Sequence, residues 1–567
     1  MDTGARGGKD TATADEQPYY DLGTYSRPVT TKSKLAQTWF DRGLQWSYAF
    51  NHEESATCFL RASEADPSCC MSLWGIGYAL GPNYNKPWEA FDPDEKEANL
   101  QQAKDSLLAA ERAAQADASP VEKALINALQ ARYPNDRSGD DYAKWNQDYA
   151  RAMKTVYDES GDDLDVAALY ADALMNITPW ALWDIRTGEP AEGSRTLEAK
   201  AVLDQAFARP GGNDHAGLLH LWCHLMEMSA RPEDAIPIAD RLRGLVPDGG
   251  HLHHMPTHLD VLAGDWQNAI TSNSQAIEAD ERYLAQAGAS NFYSLYRSHN
   301  YHFKVYAAMF AGQYQTAIDT VARLESSLPE DLLQTPSPPM ADWLESFLSM
   351  RVHVLVRFGK WDSLLALQLP TDPKLYCVTT AMIRYGRGVA YAATGHVDNA
   401  ATEQEAFRAA VSQVPASRTL FNNTAVDILA VATAMLEGEL EYRKESFDEA
   451  FAHLRKAVEL SDNLPYDEPW GWMQPPRHAL GALLLEQGHV EEAAEEYKAD
   501  LGLDDTLPRA LRHPNNVWAL HGHHECLTRS GKTDEAESVK RQLKGLSEKS
   551  DVKVTSSCYC RGAAPKL

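Results

Sequence analysis

Residues 215–227 read HAGLLHLWCHLME, residues 250–258 read GHLHHMPTH, and residues 298–302 read SHNYH. In the first run His220 and His224 are four apart, and Glu227 follows three further on. In the second, His251, His254 and His258 are spaced three and four; the third supplies His299 and His302. Spacings of three and four put side chains on one face of a helix. Neutral imidazole is the commonest ligand for zinc, copper, iron and nickel, and two imidazoles one helical turn apart can hold one ion between them. His220, His224, His254, His258 and His302 are therefore the candidate metal ligands. His299 and Glu227 are the candidates for acid, base or substrate contacts; Glu227 also reads as a further ligand or as a solvated carboxylate at a helix end.

These runs belong to a longer repeat. The segment from Ala36, AQTWFDRGLQWSYAFNHEESATCFLRASEADP, carries Gly43 in its first half and Ala62 and Pro67 near its end. A glycine followed five residues later by an alanine recurs as Gly264 with Ala269, Gly312 with Ala317, Gly395 with Ala400, Gly488 with Ala493 and Gly531 with Ala536. The pattern resembles the tetratricopeptide (TPR) repeat, a helix-turn-helix of about 34 residues that must stack on its neighbours to bury its apolar faces. Counting from Ala216, Gly250 and Ser298 as first positions, His220, His254 and His302 all fall fifth, while His224 and His258 fall ninth. The resemblance implies that this stripe lines a concave groove, where imidazoles of successive repeats converge. Pro256 is tolerated if it stands in the first turn of its helix.

The remaining units are separated by inserts rich in Trp, Pro and Gly, GPNYNKPWEAFDPDE, TPWALWDIRTGEPAEGS and NLPYDEPWGWMQPP. Long structured loops in a compact fold are disproportionately functional, and these are expected to roof the groove with Trp180 and Trp472. The expected architecture is an all-α, TPR-like α-solenoid over residues 31–546, with a His-rich central groove at about 213–310. Residues 1–30 and 547–567 read as disordered from composition. FNHEESATCFLRASEADPSCCMSLWGIGYALGPNYN, GHLHHMPTHLDVLAGDW and YDEPWGWMQPPRHALGALLLEQG are similar to stretches in a group of bacterial and fungal TPR proteins, a resemblance that supports architecture and register but brings no activity with it.

A formal net charge of −28 without a long Lys/Arg run argues against a nucleic-acid partner. No apolar stretch is long enough to span a bilayer and the first twenty residues lack a signal-peptide core, so a cytoplasmic location and no membrane partner are expected. The eight cysteines are scattered and read as free thiols. SGKTDEA at 530–536 lacks the earlier glycine of a phosphate loop, and NHEES and HHECL lack the second histidine of HExxH. What remains is a metal-dependent enzyme acting on a small molecule, most plausibly an oxidase or oxygenase using copper or iron, since the donors are histidine-dominated. Two alternatives stay open: a zinc-dependent hydrolase, and a non-catalytic scaffold whose groove binds a peptide or a small acid.

Overall fold

Helices pair with their chain neighbours because short turns between partners return them antiparallel. In the computed structural model, which describes residues 19–134, 139 and 141–561, Lys34–Tyr48 packs on His52–Ala65, Leu164–Met175 on Thr196–Phe207, Tyr293–Phe310 on Tyr314–Ser326, and Cys377–Ala393 on Val397–Val411. Ala425–Arg443 with Phe447–Asp462, Pro476–Glu486 with Val490–Leu501, and Val517–Arg529 with Thr533–Ser547 continue the series. The only strands among the described residues are a two-residue antiparallel pair, Thr419–Leu420 with Asn423–Thr424. The chain is thus an all-α, TPR-like α-solenoid. No helix among the described residues is long and apolar enough to cross a membrane.

The repeat signature has a direct physical meaning. Gly264 and Gly312 end their helices at φ of 75° and 70°, left-handed conformations that favour glycine. Ala269 and Ala317, five residues on, are fully buried where the second helix crosses the first. At Gly43 an added Cβ would stand 2.8 Å from the Phe59 ring, so the missing side chain is what lets this hairpin close. Pro256 opens a new helix, Pro256–Ala263, after the short Gly250–His254, and the break at Met255 keeps the two helices nearly continuous.

Residues 19–30 and 548–561, within the segments read as disordered, are packed against the solenoid. Tyr19 donates to Glu54 Oε1 at 2.6 Å, and the buried Arg27 pairs with Asp165 at 2.8 Å. At the other end Arg561 forms a two-pronged pair with Glu525 at 2.8 and 3.0 Å. Composition marked these segments as polar, but a few aromatic and arginine anchors give them partners on helices far along the chain. Residues 1–18 and 562–567 lie outside the described residues. Cys558 and Cys560, read as free thiols, are joined as a disulfide, whereas the other six cysteines are free and buried.

The last hairpins return against the middle ones. Trp518 donates to the Met309 carbonyl at 2.7 Å, and Arg186 donates to Asn463 at 2.7 Å. From the late insert, Glu468 Oε2 reaches His258 Nδ1 at 3.3 Å.

Candidate metal centre

Three first helices, Ala216–Glu227, Gly250–His254 with Pro256–Ala263, and Tyr293–Phe310, present their inner faces to one another. The stacking brings six imidazoles together as two groups, His220 with His224 and His251, and His254 with His258 and His299; in each group the donor atoms lie within 4.8 Å of one another. All six residues are buried. The spacing between groups matches the spacing within them: ring centroids are 4.9 Å apart for His220 and His224, 4.7 Å for His254 and His258, and 5.7 Å for His251 and His254 across the boundary.

The outer nitrogens of three of these rings are held by hydrogen bonds. His220 Nδ1 lies 2.6 Å from the Tyr48 carbonyl, which can only accept, so this nitrogen carries the proton. His254 Nδ1 lies 2.8 Å from Asn273 Oδ1. The orientation of Asn273 is fixed because its amide donates to the Ala269 carbonyl at 2.9 Å and to Thr257 at 3.1 Å. Glu227 serves both groups at once: Oε1 accepts from His224 Nδ1 at 3.0 Å and Oε2 stands against His258 Nδ1. Glu468 Oε2 approaches the same His258 nitrogen at 3.3 Å.

The Nδ1 contacts of His220, His224 and His254 leave the Nε2 of each ring directed inward. His220 Nε2 and His224 Nε2 are buried without a partner among the described residues, as are both ring nitrogens of His251. His254 Nε2 and His258 Nε2 stand 2.7 Å apart, within hydrogen-bonding distance, and His258 Nδ1 has no hydrogen-bond partner among the described residues. Buried polar atoms are ordinarily paired, and a held Nδ1–H with a free inward Nε2 is how proteins orient metal-binding histidines.

Burial also fixes the charge state. It pushes His220 and His258 down to about 3, and with the neighbouring imidazoles it drives His224, His251, His254 and His299 well below the usual histidine range. The rings are therefore neutral, the form that binds metal. The same burial raises the carboxyls of Glu227 and Glu468.

A cavity of about 290 Å3 opens on His251, His258 and His299, touching both groups. Its other walls include Trp180, Phe292, Tyr296, Trp343 and Phe421, and none of the described residues lining it is Lys or Arg. Phe421, at the tip of the small strand pair, lies 4.5 Å from the His299 ring, centroid to centroid. Asp467, on the rim, is pushed up to about 8 by burial and so is uncharged at neutral pH.

Among the residues singled out from sequence, His220, His224, His254, His258 and His299 meet in this cluster. His302 stands outside both groups, its Nε2 2.8 Å from the Met473 sulfur. It shares its repeat position with His220 and His254, but its helix continues without the break that Pro256 introduces. Glu227 lies behind the histidines, with both oxygens facing their ring nitrogens. Trp180 covers His224 at 5.9 Å, centroid to centroid, while Trp472 is buried against His353 at 4.8 Å. His478 pairs with Asp500 at 2.8 Å and lies outside the cluster. Sequence reasoning placed His251 on the stripe without making it a ligand, and it missed Asn273, Phe421 and Glu468. Glu468 lies in the singled-out insert NLPYDEPWGWMQPP, which was the available signal.

Fold and site together define a helical-repeat solenoid, an architecture suited to scaffold or binding roles, with a buried histidine cluster on its inner face. No family model matches the chain, and no curated protein matches it at a significant level. Solved structures with some likeness include the APC/C hetero-tetramer Cut9-Hcn1, at 13% identity over 85% of this chain and 76% of that one, with a TM-score of 0.30. The human IFIT1 dimer with m7Gppp-AAAA is 11% identical over 91% of each chain, with a TM-score of 0.31. Yeast Tom70 is 13% identical over 90% of this chain and 89% of its own, with a TM-score of 0.25. Likeness of this degree says nothing of ligand or activity, and the fold follows from the helix pairing itself.

Proposed function

We propose that the chain is a metal-dependent oxidase or oxygenase, using copper at the buried histidines to oxidise a small molecule with dioxygen. One observation carries the reading: His220, His224 and His254 have Nδ1 held by a carbonyl, a carboxyl group or an amide, so that their Nε2 atoms, with both ring nitrogens of His251, are turned into one buried space. A cation would satisfy these nitrogens without breaking the outer contacts. Six neutral nitrogen donors favour copper over magnesium or calcium, which take oxygen ligands. The cavity at His251, His258 and His299 has aromatic walls and no cationic residue among those described, which suits an uncharged, largely apolar substrate.

The test is metal content and oxygen uptake. Protein purified without a histidine tag, loaded with copper and freed of excess, is expected to retain the metal and to consume oxygen with uncharged aromatic compounds. Chelation should abolish the uptake. A chain that retains no transition metal above background overturns the proposal.

A further inference from the structure

We infer that the two histidine groups hold a pair of ions as one centre, and that dioxygen meets both ions at once. This inference rests on the metal-dependent reading above and goes further, to the number of ions and their coupling. Each group offers three imidazoles, enough for one ion with an open position, as in three-histidine sites. Two observations tie the groups together. The first is distance: His251 of one group and His254 of the other have ring centroids 5.7 Å apart, and His224 and His258 are 6.1 Å apart, no further than the 6.1 Å between His224 and His251 inside one group. Ions about 2 Å from such nitrogens fall within reach of a shared ligand, the spacing seen in two-metal sites.

The second observation is Glu227. Its two oxygens face a histidine of each group, His224 through a hydrogen bond and His258 through close approach, so one buried carboxyl group touches both sides. Two independent sites would need no common support. The cavity follows the same division, reaching His251 of the first group and His258 and His299 of the second, so a molecule within it faces both ions.

A pair has a chemical use that a single copper lacks. Oxidation of a substrate by removal of two hydrogens releases two electrons and two protons, and dioxygen takes up both electrons and both protons as hydrogen peroxide. Two one-electron ions can hold both electrons between these half-reactions.

The experiment is copper stoichiometry with electron paramagnetic resonance on the copper(II)-loaded full chain. The expected result is about two coppers per chain with spin intensity well below two, because close copper(II) ions couple and lose their signal. His251→Asn and His299→Asn, each weakening one group, should each retain about one copper with about one full spin. X-ray absorption on the unmodified chain should detect a copper neighbour at a distance on the order of 4 Å, a measurement that needs no variant to fold. Two coppers with two full spins, or a single copper in the unmodified chain, overturns the pair while leaving a metal-dependent enzyme. No bound copper overturns both.

Discussion

Glu227→Gln separates orientation from ligation more cleanly than any histidine variant. The side chain keeps its size, so the fully buried site keeps its packing. A glutamine that turns its NH2 toward His224 takes away the acceptor for the His224 Nδ1 proton and sets a donor against it. Leaving one buried donor unsatisfied costs about 1–3 kcal/mol, which corresponds to roughly 10- to 100-fold in metal affinity, the range found when the outer partners of metal-binding histidines are removed. The cost falls on the metal-bound form, because the metal-free rings can turn or change tautomer to escape it. The assay is competition against a chromophoric chelator, with far-ultraviolet circular dichroism to verify the helices. Affinity unchanged within about twofold would refute the orienting role. Complete loss of one ion with the fold intact would make Glu227 a ligand in its own right.

His302→Ala should lower the melting temperature, since it empties a buried position beside Met473, yet leave bound metal unchanged, whereas His254→Ala should retain the helices and lose metal; equal metal loss in both would return His302 to the site. Gly43→Ala should destabilise by about 1–3 kcal/mol in denaturant melts, because its Cβ would meet the Phe59 ring at 2.8 Å; a neutral effect would show that the ring moves aside freely. Burial pushes His52 and His353 down to about 3, so between pH 6 and 4 the unfolded chain binds protons that the folded chain does not, and each costs about 1.4 kcal/mol per pH unit as pH falls. Metal-free protein should lose stability steeply over that window, and His353→Asn should make the loss shallower; an unaltered slope would refute the assignment.

The sequence by itself determined the hairpins and the inward stripe. Periodicity is a local property: four residues slightly exceed one helical turn, so His220 with His224 and His254 with His258 must share a face wherever their helices lie. The turn glycines and the alanines five residues later report contacts inside one hairpin, and a hairpin is written within its own 34 residues. Equal repeat positions also marked the imidazoles of neighbouring hairpins as neighbours, yet His220 packs on His251 and His302 lies beside Met473.

Tertiary structure decided how those imidazoles divide and what supports them. His251, one turn before His254, stands 4.8 Å from His220, centroid to centroid, and the imidazoles fall into two groups of three. Glu468 and Phe421 reach His258 and His299 from more than 100 residues away, and Asn273 reaches His254 from the second helix of its hairpin. None of these approaches has a periodic trace in the sequence. They depend on the curvature accumulated over many hairpins, a sum of small rotations set by side-chain packing between repeats, and this return of the solenoid on itself brings the late inserts over the histidines.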